Sequence, residues 1–316
     1  MHAALRRLAA GVQAARAGLA YGAMAEGWFA VAVADRAGTL EGGLIPSLAA
    51  MSVVSIGLFV FGVAMNDVLD RKHDRAFAGG QDGRWLVSVQ WLAALAIASL
   101  LAALGAASQF GRGGMLVAGL TAAGIVAYNA LAKFIPAFSF VSLGAIGALH
   151  MLVPDQHPTV LLPFWFSMTF TAIVAGIVHR ARLKRPSATL RGMLVATALW
   201  AGWSAVLAWW IAPEGDDWLA GLPLAKHAVL VAVVTLAIFA TLAVALRRST
   251  QGNPRFADRF ARFATLLQAC MPAVWLLGLG RPSTAMLFAA AAVGLAMLDA
   301  AVRACLHLAR PLDYQP

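Results

Sequence analysis

Carboxylates are scarce in this sequence. Its 316 residues hold 14 Asp and Glu against 24 Lys and Arg, and charged residues of both signs make up only 12% of the chain. A soluble domain of this length carries about twice that share. There are two cysteines, Cys270 and Cys305, far apart and in or near apolar segments. That excludes a disulfide framework and a cysteine-based metal site, and makes both small buried hydrophobes. His150, His179 and His227 form no helix-spaced metal pair and are expected at the membrane interface. Low-complexity tracts and detectable repeats are absent. What the chain has in excess is apolar surface: 61% hydrophobic residues and a mean hydropathy of +0.77. That is membrane composition. Removing the apolar stretches leaves no soluble domain of useful size, so residues 1–316 read as a single transmembrane domain.

Ten apolar stretches lie near 17–34, 44–65, 85–107, 113–132, 135–153, 158–179, 190–212, 225–246, 260–280 and 282–303. Most reach the roughly 20 residues that cross a bilayer as a helix. The expected fold is therefore all-α and polytopic, with nine or ten transmembrane helices. Met1–Arg16 has no compact apolar core followed by a cleavage site, so it is expected to be a cytoplasmic N-terminus and not a signal peptide. With that end inside, 20 of the 24 Lys and Arg fall in cytoplasmic segments, and only Arg36, Arg112, Lys226 and Arg281 fall outside. This bias places both termini and the loop after the second stretch in the cytoplasm, and the Ala- and Arg-rich composition leads to the expectation of an inner (plasma) membrane. The net charge of +10 is then explained by loops facing anionic lipid, not by nucleic-acid binding. Trp85, Trp209, Trp210 and Trp218 sit near stretch ends as interfacial anchors. Within 253–263, Phe256, Phe260 and Phe263 share one stripe and Arg255, Arg259 and Arg262 another, which predicts an interfacial helix on anionic lipid.

The few carboxylates are not scattered. Asp67, Asp70 and Asp74 follow Asn66 at the end of the second stretch, spaced to share one helix face. Three carboxylates on one face repel unless a cation sits among them. A hard divalent ion such as Mg2+, shared with a substrate phosphate, suits that face. The competing reading is a self-neutralising surface segment, since Arg71, Lys72 and Arg75 lie within a turn. Glu26 stands alone in the first stretch, where an intramembrane acid is a functional-site hypothesis by default. It is either a group that orients a substrate or a structural acid bonded to a neighbouring helix. Asp299, in the last stretch, has no visible partner.

The pattern Asn-Asp-x-x-Asp-x-x-x-Asp over 66–74 resembles the first aspartate-rich motif of the UbiA family of intramembrane prenyltransferases. Tyr128, followed five residues later by Lys133 at the end of the fourth stretch, is similar to a Tyr and Lys pair common in that family. The resemblance implies a ring of helices around a lipid-open central cavity. It implies a Mg2+-dependent prenyltransferase, transferring alkyl or aryl groups other than methyl. The prenyl chain would pass from a polyprenyl diphosphate to a small acceptor, aromatic or otherwise, in contact with membrane lipid. Asp67, Asp70 and Asp74 would hold Mg2+, and Asp67, Asp70, Tyr128 and Lys133 would carry the chemistry. Asn66, Arg71 and Glu26 would contact substrate.

The chain departs from the family where a second acidic motif belongs. Residues 177–186 read Ile-Val-His-Arg-Ala-Arg-Leu-Lys-Arg-Pro, without one carboxylate. Either Arg180, Arg182, Lys184 and Arg185 grip the diphosphate directly, as guanidinium forks can, or catalysis is lost and the protein binds or translocates an isoprenoid or a prenylated precursor. In this respect the chain is similar to the EboC-like branch associated with ebo-type gene clusters.

Overall fold

The computed structural model describes residues 20–40, 42–77, 88–158, 160–183, 186–211, 226–250 and 252–308. Among them there are ten α-helices and no strand. They are α1 (Tyr21–Ala37), α2 (Leu44–Phe77), α3 (Val89–Ala107), α4 (Gly111–Ala130), α5 (Pro136–Met151), α6 (Leu162–Ala181), α7 (Leu190–Ile211), α8 (Lys226–Ser249), α9 (Asn253–Gly278) and α10 (Pro282–Leu308). Single 3-10 turns, Ser108–Phe110 and Ala132–Phe134, flank α4.

Six segments among the described residues are long and apolar enough to cross a membrane: Leu44–Arg71, Val89–Ala130, Leu162–Ala181, Leu190–Ile211, Ala232–Ser249 and Arg255–Gly278. The 42-residue segment among them folds as two helices, α3 and α4. Pro136–Met151 and Pro282–Leu298 are shorter apolar helices. The chain is thus a multi-pass membrane protein.

A helix reverses between α3 and α4 because Gly111 takes φ 73°, ψ −171°, which an L side chain resists. Helix α2 has 34 residues. At 1.5 Å per residue it is about 50 Å long, well beyond a hydrocarbon core of about 30 Å. Its last turns, which carry the aspartates, therefore extend past the apolar layer.

The helices pack through small residues, as expected where lipid removes the hydrophobic drive between apolar surfaces. The most extensive pairing joins α2 and α3. A Cβ at Gly57 would lie 2.7 Å from the Ser99 carbonyl oxygen and 2.9 Å from Ala103 Cβ. Gly144 of α5 likewise sits directly against the Met168 backbone of α6. Helix α1 lies among α2, α5, α9 and α10. Twelve of its 17 residues are buried. An amphipathic pattern was never needed there, because α1 meets protein on nearly every side.

Two expectations are corrected. Segment 253–263 is not a separate helix on the lipid surface; it forms the first turns of α9, and Phe256 and Phe260 are buried. The Phe stripe packs on α8, where the Phe239 ring lies 4.9 Å from Phe263 and 5.8 Å from Phe260, and Arg247 covers Phe256 at 5.1 Å. Arg255, Arg259 and Arg262 remain exposed on the other stripe. Second, His150 is not interfacial: it is 5% exposed, and its Nε2 shares a 2.9 Å hydrogen bond with Ser55 Oγ of α2. Trp209 is largely exposed, as an anchor should be, whereas Trp210 donates to the Gln156 carbonyl at 2.9 Å. Trp85, Trp218, residues 78–87 and the side chains of Asp299 and Cys305 lie outside the described residues.

Gly57→Val is expected to lower stability by about 1–3 kcal/mol by overpacking the α2–α3 contact. Gly105→Val is the control, because a Cβ there meets nothing within 4 Å. Thermal unfolding midpoints in detergent would show the difference; equal midpoints would mean that this approach does not constrain the fold.

Candidate functional site

The site is assembled by the register of α4 against α2. Asn129 is 4% exposed, and its Nδ2 donates to the Gly62 carbonyl at 3.2 Å. One helical turn further along both chains, Lys133 Nζ donates to Asn66 Oδ1, also at 3.2 Å. The same ammonium lies 2.5 Å from Asp70 Oδ1. Lys133 and Asp70 side chains are 12% and 25% exposed, so this charge pair is largely out of water. The Phe134 ring, 5.2 Å from the ammonium, closes another side.

Lys133 reaches the pair because α4 stops at Ala130. The turn Ala132–Phe134 follows, and Pro136 then starts α5. Proline at the first position of a helix costs no hydrogen bond and blocks helical continuation from before it. Tyr128 lies one turn before Ala132, next to Ser139 of α5 and within the electrostatic reach of Asp70.

The first motif and the Tyr–Lys pair therefore meet, although more than 60 residues separate Lys133 from Asp70. Asp67 and Arg71 belong to the same end of α2, half-buried. The side chain of Asp74 lies outside the described residues, as do Lys184 and Arg185.

The basic turn after α6 is at the same end of the bundle. The His179 ring stands 5.3 Å from that of Phe140, one turn into α5 from Pro136, in an edge contact. Its Nε2 shares a 3.1 Å hydrogen bond with the Pro186 carbonyl, which closes the turn. Arg180 is exposed. Arg182 is engaged elsewhere: its Nη2 lies 2.6 Å from Asp258 Oδ1 of α9. Both partners are about half exposed, and such a pair is worth about 0–1 kcal/mol.

Glu26 does not join this cluster. It is 6% exposed, and Gln268 Nε2 of α9 donates to its Oε2 at 2.9 Å. The same Nε2 lies 3.4 Å from Thr171 Oγ1 of α6. Ser167 Oγ, also buried, sits beside the carboxyl group without making a hydrogen bond of good geometry. Gly27 abuts Met51 and Ser55 of α2, which precede Asp70 by 15 residues or more. At 1.5 Å per residue the Glu26 group thus lies about 22 Å along the bundle from the acidic end.

Sequence reasoning missed Asn129, Gln268 and Ser55. Each is an uncharged polar residue in an apolar stretch, and that alone was the available signal.

The motif raises the question of a metal. Among the described residues no three His, Cys, Asp or Glu side chains converge. Asn66 Oδ1 and Asp70 Oδ1 nevertheless converge on one cation, the Lys133 ammonium, which shows that this pair of oxygens is built to hold positive charge. Two such oxygens suit a hard ion in chemical type, and its remaining ligands would come from phosphate and water.

No protein-family model matches the sequence, and neither does any curated protein. Among solved structures the chain is similar to digeranylgeranylglyceryl phosphate synthase, a UbiA-family prenyltransferase of membranes. The two share 13% identity, with a TM-score of 0.56 over 86% of this chain and 98% of that one. The fold is UbiA-like. At this identity the likeness concerns the path of the helices. It agrees with the all-helical ring expected from the motif and says nothing of individual side chains.

In the UbiA-like fold of this chain, Glu26 and Gln268 form one polar unit between α1 and α9. Gln268→Leu strands the Glu26 carboxyl group and is expected to cost about 1–3 kcal/mol, whereas replacing both residues by Leu should recover much of the loss. Unfolding midpoints of the two single variants and the double variant check this. A double variant as unstable as the two losses combined would show that the residues act independently.

Proposed function

We propose that this protein is a UbiA-type intramembrane prenyltransferase. It moves an isoprenoid chain from a polyprenyl diphosphate to a small nucleophilic acceptor, aromatic or otherwise, and it does so with Mg2+. The observation that carries this reading is the Lys133 ammonium held between Asn66 and Asp70 at the acidic end of a UbiA-like helix ring.

The chemistry follows from where charge develops. The bond between the allylic carbon and the diphosphate oxygen breaks, and the electron pair leaves with the diphosphate. Lys133 and Arg180 stand at the end of the bundle where that negative charge grows, and stabilising it there is the main means of lowering the barrier. Lys133 acts as a point charge, while an arginine fork matches phosphate oxygens in pairs. Asp67, Asp70 and Asn66, with Asp74, would hold Mg2+, which when bound neutralises phosphate charge. The allylic carbon, now electron-poor, is attacked by the acceptor, which loses a proton as the new bond forms. Tyr128, near Ser139 and within electrostatic reach of Asp70, would orient the acceptor through its hydroxyl group, and the proton leaves to the freed diphosphate or to water. The prenyl chain lies along the apolar helix surfaces, where no phosphate could be solvated.

The basic turn supports a direct grip on the diphosphate in place of a second acidic motif, the departure that likens this chain to the EboC-like branch. It also supports the second reading, an isoprenoid-diphosphate binder or carrier without turnover. The bundle end is then the same, but the diphosphate is held and not released. On either reading the Asp-bearing end would face the cytoplasm, a side that the Lys and Arg distribution supports.

Purified protein in detergent is offered geranyl, farnesyl or geranylgeranyl diphosphate together with a membrane extract as acceptor pool, with Mg2+ or with EDTA. Pyrophosphate release is expected only with Mg2+, and Asp70→Ala should reduce it by about a hundredfold or more. Release that persists undiminished in Asp70→Ala would overturn the transferase reading. Saturable diphosphate binding without any release would select the carrier.

A further inference from the structure

Lys133 does more in this structure than line a phosphate site. Its ammonium is 2.5 Å from Asp70 Oδ1 and 3.2 Å from Asn66 Oδ1, the two oxygens that also belong to the metal donor set. It stands on a 3-10 turn between α4 and α5, with its reach fixed from behind by the Asn129–Gly62 hydrogen bond. We propose that Lys133 is a tethered counter-ion that keeps a divalent ion off the Asn66–Asp70 pair until a diphosphate is present, and that it then transfers from the carboxylate to the diphosphate.

Three observations support this role. The pair is only 12% and 25% exposed, so water screens the ammonium poorly from any second cation brought to the same oxygens. A lysine ammonium is a point charge on a flexible four-carbon stem, and can exchange one anionic partner for another without moving the backbone. The oxygens that would serve an ion here, Asp70 Oδ1 and Asn66 Oδ1, are also both engaged already by the ammonium. Mg2+ prefers six oxygens in octahedral array and commonly takes several from substrate phosphate. A diphosphate therefore supplies what is missing twice over: oxygens for the ion, and a new anionic partner for Lys133. The expected consequence is synergy, in which the ion binds poorly alone and well together with diphosphate.

The inference rests on the diphosphate reading for its second half only, and the test separates the halves. Full-length protein is studied by equilibrium dialysis in detergent, with Mn2+ as the divalent probe and inorganic diphosphate as the anion. Wild type should retain Mn2+ weakly by itself, and at least about tenfold more tightly once diphosphate is added. Lys133→Met should bind Mn2+ alone about tenfold more tightly than wild type, gain little further from diphosphate, and lose the gain when Asp70→Asn is added. Lys133→Arg, which keeps the charge, should behave like wild type. Lys133→Gln serves as the second neutral variant if the Met variant is not recovered as a monodisperse protein. Neutral variants that bind Mn2+ no more tightly than wild type would overturn the proposal. If they bind it more tightly while diphosphate changes nothing in any variant, the counter-ion role stands and the diphosphate reading of this site falls.

Discussion

An ion pair drawn from two distant segments sets the chemical character of this protein. Asp70 lies in the last turns of one long helix and Lys133 on the turn that follows another, and both side chains are largely out of water. Leaving one member of a largely buried pair without its partner is strongly unfavourable, because the remaining charge keeps its desolvation cost and loses its compensation. The pair therefore fixes how far α4 slides along α2. The Asn129–Gly62 hydrogen bond repeats the same register one turn earlier. Together the two contacts act as a two-point clamp, and everything placed beside it, from Tyr128 to the start of α5, inherits its position.

Away from that end, the interior follows a different rule. Lipid-facing surfaces on α7 and α8 are exposed along most of their length, while α1 is enclosed. Polar side chains inside the bundle then have only each other. Glu26 with Gln268, and Ser55 with His150, each join two helices through a contact that apolar residues could not specify. Such contacts contribute about 1 kcal/mol each in membranes. Their greater effect is on arrangement, since sliding one helix past another would leave a polar group unpaired in an apolar medium.

Charge is sorted by position along the bundle. The acidic turns of α2, the Lys133 ammonium and the basic turn after α6 share one end, and the Arg182–Asp258 pair fastens that turn to α9. An end that mixes carboxylates with an excess of guanidinium and ammonium groups suits a ligand that carries several negative charges and travels with a cation. A lone carboxylate cluster would repel that ligand, and a lone basic cluster would recruit no metal. On the proposed reading, the apolar helix surfaces would take the rest of such a ligand.

How much of this was legible in the residues depends on range. Helix content, membrane class and the Asn66–Asp74 motif are local properties: composition decides the solvent, a span needs only length, and spacing decides which carboxylates share a face. The sequence by itself determined those, and the place of Tyr128 and Lys133 at a helix end. It did not determine that Lys133 meets Asp70, because that depends on the register between helices joined by a long connection. Nor did it determine the fate of the Phe256, Phe260 and Phe263 stripe, since an apolar stripe is equally suited to lipid and to a neighbouring helix, and only the presence of Phe239 decided for protein. For the same reason His150 was wrongly expected at the interface and Glu26 was left open. Whether an intramembrane polar group is a ligand contact or an interhelical tie depends on what the tertiary structure sets opposite it, and here Ser55 and Gln268 stand there.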